Sequence, residues 1–202
     1  MTIKIILNKE NCLKINDLKT HLKYMVLFIV LLISNNVYAE IGGDFTLQDQ
    51  NNNKYSLYDS SKAKIIFFGF LNCPDICPTA LSEVSNLLKK LNKSSEYIEA
   101  IFITVDPTRD TNELIKNYLS FFDKRIIGLT GTQDQIEKVA NKYHVYYSYQ
   151  NKDKNRNYTV NHTANIYFLN QDNKIEKIFI PGTPFSELFK YVNSYIAKNL
   201  KN

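Results

Sequence analysis

The segment Lys64–Pro78 reads KIIFFGFLNCPDICP. Its first half is an almost continuous apolar run rich in β-branched and aromatic residues, which is typical of a strand buried on both faces. Cys73 and Cys77 follow, and leucines then recur at helical spacing over Thr79–Leu91. We therefore expect a buried strand, a cysteine-bearing loop and a helix that begins near Pro78, since proline suits the first position of a helix.

Outward from this segment, strand and helix patterns alternate. The predicted elements are a β-hairpin of residues 45–47 and 55–57, the strand 64–70, the helix 79–91, the strand 98–105, the helix 111–122, the strand 126–129, the helix 132–143, a strand-like stretch 145–149, a hairpin of 163–169 and 175–180, and a closing helix 185–198. Early βαβ units imply parallel strands with right-handed crossovers. This order, with two cysteines between the first core strand and its helix, predicts an α/β thioredoxin-like fold: a central mixed sheet flanked by helices, with an N-terminal β-hairpin.

The first 39 residues differ from the rest of the 202-residue chain. Tyr24–Ile33 is a run of ten apolar or aromatic residues, preceded by lysines and followed by a polar break and Val37-Tyr38-Ala39. A membrane-spanning helix needs roughly 20 apolar residues, so the run is short for a span and fits a signal peptide better. We expect a signal peptide or N-terminal membrane anchor over residues 1–39 and one exported thioredoxin-like domain over residues 40–202. Both cleavage after Ala39 and retention as an anchor agree with this pattern.

The charge distribution argues against nucleic-acid binding. The formal net charge is +5, and five lysines against two acidic residues in the first 39 positions contribute +3 of it. The rest of the chain then carries 20 basic and 18 acidic side chains, with both signs interleaved. Proteins that bind nucleic acids show a stronger and more clustered positive excess.

Removal of the leader would leave Cys73 and Cys77 as the two cysteines of an exported protein. Their spacing puts both sulfurs on one face of a helical turn, where the helix N-terminus is expected to lower a thiol pKa. His162, just before the late hairpin, is expected to lie against the start of this helix. Two thiolates and one imidazole suit copper, because Cu(I) prefers soft ligands and low coordination numbers, whereas structural zinc favours four protein ligands. His144, on another element, is interpreted as an ordinary surface or half-buried residue.

Several stretches carry a resemblance to a known family. They are Gly42–Leu47 (GGDFTL), Phe67–Pro78 (FFGFLNCPDICP), Val105–Asp110 (VDPTRD), Ile127–Thr132 (IGLTGT) and Val160–Tyr167 (VNHTANIY). Together they resemble the Sco/SenC family of copper chaperones, and the CPDxCP box with a later histidine is the specific part. The resemblance implies copper, as Cu(I) or Cu(II), bound by Cys73, Cys77 and His162. It also implies that Asp106 lies near the site.

The resemblance further implies a function and partners. The protein would not be an enzyme, although a secondary thiol-disulfide reductase activity is compatible with it. It would deliver copper to, or maintain the thiols of, the dinuclear copper site of cytochrome c oxidase subunit II, or serve another copper acceptor. It would receive copper from a donor protein and work at the periplasmic face of the inner membrane, anchored through the N-terminal segment or soluble.

Two positions depart from the family pattern. Leu71-Asn72 precede the first cysteine, where the family often has Thr-His or Thr-Tyr, and Asn161 stands where the family usually has Asp. Asn161 is a neutral hydrogen-bonding substitute, so we expect it to change how the neighbouring imidazole is oriented and tuned as a ligand.

Other functions of the two cysteines are weighed beside copper binding. A purely structural disulfide would close a very short loop and constrain little chain entropy. An exported thiol-disulfide oxidoreductase acting through Cys73 and Cys77 is the main alternative. However, the spacing is three residues rather than two, and Arg156–Ile166 holds no proline to face the cysteines. A peroxidase fits less well, because neither Arg109 nor Arg156 has a sequence context that recommends it.

Overall fold

A computed structural model of the protein describes residues 21–25, 41–151 and 158–199. The chain divides into two compact units, residues 1–39 and residues 40–202. The predicted signal peptide or anchor lies outside the described residues, apart from a helical segment at residues 21–25. Within the described part of the chain, no helix combines the length and the apolar character that crossing a bilayer requires.

The elements of the second unit follow one another as in a thioredoxin-like fold. The strands are β1 (Thr46–Asp49), β2 (Lys54–Ser56), β3 (Ala63–Gly69), β4 (Ile98–Thr104), β5 (Ile126–Thr130), β6 (Tyr147–Gln150), β7 (Thr159–His162), β8 (Ile166–Leu169) and β9 (Ile175–Phe179). The helices are α1 (Ile76–Leu91), α2 (Asn112–Leu119), α3 (Gln133–Lys142) and α4 (Phe185–Asn199), with 3₁₀ turns at Leu57–Asp59 and Asn92–Tyr97.

Seven strands form one mixed sheet in the order β2-β1-β5-β4-β3-β8-β9. The central strands β3, β4 and β5 are parallel, whereas β1, β8 and β9 pair antiparallel with their neighbours. Every residue of β3 is buried, as its apolar run predicts. The predicted α/β fold, with its central mixed sheet and its N-terminal hairpin of β1 and β2, is therefore confirmed.

The two helices after β3 and β4 lie on one face of the sheet. Consecutive right-handed crossovers that step in the same direction across a parallel sheet place their helices on the same side. The Oγ of Ser85 in α1 accepts a 3.1 Å hydrogen bond from the backbone N–H of Asp123, just after α2. The amino ends of α1 and α2 consequently meet at the same edge of the sheet, where β3 and β4 end.

The helix α1 begins earlier than the sequence predicts. It starts at Ile76, so that Pro78 is its third residue and Cys77 its second. The backbone N–H groups of the first helical turn have no intrahelical partner, and proline is therefore tolerated there as well as at the first position. The earlier start places Cys77 inside the helix rather than in the loop before it.

The strand β7 is absent from the sequence prediction. Residues 159–162 pair antiparallel with β6 in a separate two-stranded sheet, with His162 opposite Tyr147. The pairing partner lies about a dozen residues upstream across a polar segment, so the local pattern carried little strand signal. This ribbon presents His162 at its end, next to the loop that joins β3 to α1.

Candidate metal centre

Three elements of the fold supply the three predicted ligands. Cys73 lies in the loop after β3, Cys77 in the first turn of α1, and His162 at the end of β7. Their ligand atoms all lie within 4.8 Å of one another. Within the described residues, this is the one group of three or more His, Cys, Asp or Glu side chains placed to hold a metal ion.

The two sulfurs lie at different depths. Cys77 is fully buried, whereas Cys73 is only partly buried, and both are free thiols. The backbone N–H of Cys77 lies 3.4 Å from the Sγ of Cys73. A Cβ at Gly69 would lie only 2.8 Å from the Sγ of Cys77. Glycine at this position therefore allows the Cys77 sulfur to sit directly on the sheet.

The imidazole of His162 is held between aromatic rings and a carbonyl group. The Phe70 and Phe67 rings meet it edge to face, at centroid distances of 5.5 and 6.4 Å. Its Nδ1 lies 3.0 Å from the carbonyl oxygen of Thr163. A carbonyl only accepts hydrogen bonds, so we assign the proton to Nδ1 and leave the Nε2 lone pair directed at the Cys77 sulfur, 3.4 Å away.

Burial keeps the imidazole in the form that binds metal. Loss of solvation lowers the pKa of His162, and the Thr163 carbonyl opposes this only in part. The ring is neutral at physiological pH, and a metal ion does not have to displace a proton from Nε2.

The thiol of Cys77 behaves differently from the expectation for a helix N-terminus. Burial is the largest cause that raises the pKa of Cys77, and Cys73 raises it further, although a backbone hydrogen bond from Phe70 opposes them. Desolvation disfavours the thiolate more than the helix end stabilises it. The expected lowering of this thiol pKa is therefore wrong for Cys77, which holds its proton at neutral pH until a metal ion replaces it.

Asp106 is fully buried, and its carboxylate is shared by two donors. It accepts hydrogen bonds from Nε of Arg109 and, at 2.6 Å, from the hydroxyl of Tyr158. The Arg109 guanidinium lies 3.6 Å over the Tyr158 ring and donates to the Tyr158 carbonyl at 2.9 Å. This cluster holds Tyr158, the residue directly before β7, in place. It therefore helps to fix the position of His162 at the other end of the same strand.

Sequence reasoning missed part of this cluster. It singled out Asp106 but gave no role to Arg109 and none to Tyr158. In the sequence, only the short VDPTRD stretch indicates that Asp106 and Arg109 interact. Nothing local indicates Tyr158, because it lies 52 residues beyond Asp106. Asn161 is exposed, and the Thr163 carbonyl is the group in contact with the ring nitrogen of His162.

A second buried carboxylate, also missed, holds the cysteine loop. The Oδ2 of Asp110 accepts hydrogen bonds from the backbone N–H of Leu71 at 3.1 Å and from the Thr104 hydroxyl at 2.6 Å. Burial raises the pKa of Asp110 to about 6, although these hydrogen bonds oppose the shift. His144 is exposed, away from the cluster.

Comparison with known proteins gives a consistent result. The family model described as SCO1/SenC matches residues 34–197, which is most of the chain. This chain belongs to the SCO1/SenC family. The predicted family is therefore confirmed.

Individual SCO1/SenC relatives agree in sequence and in structure. A SCO2-like protein of Rickettsia felis is 38% identical over 165 residues, covering 78% of this chain and 79% of that protein. The copper-bound structure of ScoI from Bradyrhizobium japonicum is 40% identical and superposes with a TM-score of 0.70, covering 77% of this chain and 99% of that one. BsSco, described as a member of the Sco family of cytochrome c oxidase assembly proteins and as containing a disulfide switch, is 25% identical with a TM-score of 0.62, covering 83% and 98%.

The donor set of this SCO1/SenC member suits copper. Two sulfurs and one neutral imidazole nitrogen are soft or intermediate ligands, and three donors satisfy Cu(I), which accepts low coordination numbers. Structural zinc favours four protein ligands. The copper prediction is confirmed to this extent: solved relatives hold copper, and this chain presents a cluster of matching chemistry.

Proposed function

We propose that this SCO1/SenC protein is a copper-binding chaperone whose cargo is held by Cys73, Cys77 and His162. The observation that carries the proposal is the convergence of these three donors within 4.8 Å. The two cysteines are neighbours along the chain, whereas His162 lies 85 residues beyond Cys77 on a separate β-ribbon, so no local structural constraint brings the imidazole to the sulfurs. The proposed acceptor is the dinuclear copper site of cytochrome c oxidase subunit II, supported by the description of BsSco as an oxidase assembly protein.

Loading exchanges protons for copper. Cu(I) binds to two thiolates and one neutral imidazole, so the two thiols release two protons and no electron is transferred. The neutral His162 adds none. Because burial raises the pKa of Cys77, copper affinity increases as the pH rises towards the ionisation range of the thiols.

The alternative function is thiol-disulfide exchange, and one observation supports it. Both cysteines are free, and their sulfur atoms lie within 4.8 Å of each other. Formation of a disulfide between them would release two protons and two electrons to an acceptor disulfide, which would be reduced to two thiols. This reaction and copper loading use the same sulfurs and therefore exclude one another in time.

The test is a Cu(I) titration of the reduced protein against a competing chelator. We expect one copper per chain. Removal of an outer partner of a metal ligand already costs about 10- to 100-fold in affinity, so His162→Ala and Cys73→Ala should each lose at least about tenfold. His144→Ala is the matched control and should bind as the wild type does. Unchanged affinity in His162→Ala would refute the three-ligand site.

A second experiment distinguishes the copper-chaperone function from the thiol-disulfide reductase function. Disulfide turnover with a small disulfide substrate requires both cysteines but not the imidazole. We expect His162→Ala to lose copper affinity while its disulfide turnover is preserved. Equal loss of both activities would contradict two separable functions.

Location and partners belong to the same proposal. We infer export to the periplasmic face of the inner membrane, with residues 1–39 as a cleaved signal peptide or a retained anchor, and with copper arriving from a donor protein. Fractionation of cells followed by mass determination of the protein decides between the mature mass from Glu40 and the full-length mass. Recovery from the cytoplasm would refute export.

A further inference from the structure

A largely apolar groove, here called the α1–β9 groove, lies on the surface beside the proposed copper ligands. Part of its lining is the face of α1 that carries Ile76, Ala80 and Glu83, which lie together because residues three or four positions apart share one side of a helix. The turn of residues 180–183, between β9 and α4, forms another part. Buried side chains of β8, β9 and α4 complete the lining: Ile166, Phe179 and Leu188.

The α1–β9 groove adjoins two of the three proposed ligands. Ile76 directly precedes Cys77, and Ala164, which also lines the groove, follows His162 by two positions. The volume of the groove is about 60 Å³, whereas pockets that hold cofactors and other small ligands measure roughly 300–1,000 Å³. The groove is therefore suited to a side chain of another protein rather than to a cofactor.

Two large apolar side chains of the groove are open to solvent. Ile76 is 41% exposed and Ile180 is 66% exposed. The backbone holds Ile180 in place, because the N–H of Thr183 donates a 3.0 Å hydrogen bond to the Ile180 carbonyl and Gly182 adopts a φ of 85° after Pro181. Proline followed by a residue with positive φ is typical of a type II turn. A surface that is already ordered loses less conformational entropy when a partner binds.

Among the described residues that line the groove, Glu83 alone carries a charge. It is partly buried, burial raises its pKa, and no described cation pairs with it. Two lysines on neighbouring elements have other partners. Lys177 pairs with Glu187 at 3.6 Å. Lys90 lies 4.3 Å from the centre of the Phe189 ring. A partly desolvated carboxylate without a counterion is complementary to a Lys or Arg side chain of another protein.

We propose that the α1–β9 groove docks the copper-accepting protein, through a segment of that protein in which an apolar side chain stands beside a Lys or Arg. The inference rests on the proposed copper function and adds to it where the acceptor binds and what its docking segment contains. The apolar side chain contacts Ile76 and Ile180, and the basic side chain pairs with Glu83. A lipid surface fits the groove less well, because anionic headgroups attract basic segments and are repelled by a carboxylate.

The test measures the rate of copper transfer from the Cu(I)-loaded, full-length protein to the metal-free soluble domain of cytochrome c oxidase subunit II, as a function of the domain concentration. Ile180→Ser and Glu83→Lys should each raise the half-saturating concentration about tenfold, since loss of an important interface side chain weakens binding by this order. Neither residue is a proposed ligand, so both variants should keep wild-type Cu(I) affinity against a chelator.

Two control variants lie at the opposite end of the fold. Glu96→Lys, in the 3₁₀ turn after α1, changes the net charge as Glu83→Lys does, and Phe121→Ser removes an apolar side chain that is 85% exposed after α2. Both should transfer copper as the wild type does. Charge reversal then identifies the pair: one Lys→Glu or Arg→Glu variant of the subunit II domain should impair transfer from the wild type and restore transfer from Glu83→Lys.

Three results would overturn the inference. The first is a wild-type half-saturating concentration in Ile180→Ser and Glu83→Lys. The second is a defect in Glu83→Lys that no charge reversal in the domain restores. The third is a wild-type dimer in sedimentation that Ile180→Ser abolishes, because the groove would then hold a second copy of this chain. If copper binding depends on His162 while the groove variants transfer normally, the docking inference alone fails. If the wild type binds no copper, the proposed function fails and the docking inference with it.

Discussion

At the scale of single residues, Gly69 determines how close the Cys77 sulfur can come to the sheet. A methyl group there would meet this sulfur at 2.8 Å, and the Phe67 and Phe102 rings at 2.9 and 3.0 Å. Buried side chains are packed as densely as molecular crystals, so none of these neighbours can move without disturbing others. The depth of one proposed metal ligand thus depends on a glycine that has no side chain.

We expect Gly69→Ala to impair both stability and copper binding. Overpacking of a well-packed interior costs typically about 1–3 kcal/mol, and displacement of the sulfur should lower Cu(I) affinity as well. Urea unfolding and a chelator competition measure the two effects. Gly131→Ala, where a methyl group would meet Gln135 and Leu47 instead, is the control and should cost stability alone. Wild-type copper affinity in Gly69→Ala would contradict the argument.

Asp110 gives the protein a predictable pH dependence. Its pKa is raised from 3.8 to about 6, so the native state binds this proton more tightly than the unfolded state does. The stabilising contribution is present in full below pH 3.8 and is lost as the pH rises through about 6. Asp110→Asn should therefore gain stability relative to the wild type by about 2–3 kcal/mol between pH 4 and pH 7.5.

Unfolding of both proteins at these two pH values measures the difference. Asp172→Asn, in the exposed turn between β8 and β9, is the control and should follow the wild type. An Asp110→Asn protein with the same pH profile as the wild type would show that the carboxyl titrates normally in the folded chain.

At the scale of elements, the position of His162 depends on the contacts at the start of β7. Within the described residues, His162 ends a strand whose single partner is β6. Arg109, Asp106 and Tyr158 hold the beginning of that strand by hydrogen bonds. Tyr158→Phe keeps the ring beneath the guanidinium but removes the donor to a buried carboxylate. We expect a loss of about 1–3 kcal/mol in stability and a several-fold loss in Cu(I) affinity.

The matched control for Tyr158→Phe is Tyr146→Phe, since the Tyr146 side chain is 69% exposed. Nuclear magnetic resonance of the imidazole would report the mechanism, because increased motion of His162 should accompany the loss of affinity. An imidazole signal identical to that of the wild type would separate this cluster from the metal ligand.

The helix α3 has a feature that we expect to contribute to stability but not to copper binding. Thr132 and Gln135 form a capping box at its amino end, in which each side chain bonds the other residue's backbone N–H. Thr132→Ala should cost about 1 kcal/mol, and Thr132→Ser should cost little. Copper affinity should be unchanged in both, and a fall in either would mean that α3 influences the site.

Element prediction succeeded where local pattern and tertiary environment agree. The strands β3 and β4 are buried on both faces, and their continuous apolar runs indicate this directly. The start of α1 was misplaced by two to three residues, because proline is tolerated throughout the first turn. The strand β7 was missed because its pairing with β6 joins segments separated by a polar stretch.

At the scale of the whole molecule, the core belongs to the second unit. Every residue of the buried apolar cluster in the described chain lies between Phe45 and Ile196. We expect the fragment Glu40–Asn202 to fold alone, to melt within about 4 °C of the full chain, the shift that roughly 1 kcal/mol produces at this size, and to bind the same amount of copper. Calorimetry and copper titration measure both quantities. A molten fragment would show that the first 39 residues contribute to the fold.

The proposed ligand set follows from residue type and spacing together with a family resemblance, while the properties of each ligand do not. The raised pKa of Cys77 arises chiefly from its burial, and the pairing of β7 with β6 carries His162 to the cysteines. Both depend on which distant segments become neighbours. The spacing of Cys73 and Cys77 predicts that the two sulfurs lie on one face of the helix. How much water reaches each sulfur depends on the tertiary structure.

The unequal exposure of the two sulfurs would impose an order of events on any transfer of an ion from the proposed site. Cys77 is fully buried on the sheet, whereas Cys73 is only partly buried. A nucleophile from an acceptor protein would therefore reach the ion from the side of Cys73, and of the two sulfur bonds the one to Cys77 would break last. Release into bulk water would be disfavoured, because the buried sulfur would hold the ion until the acceptor shares it.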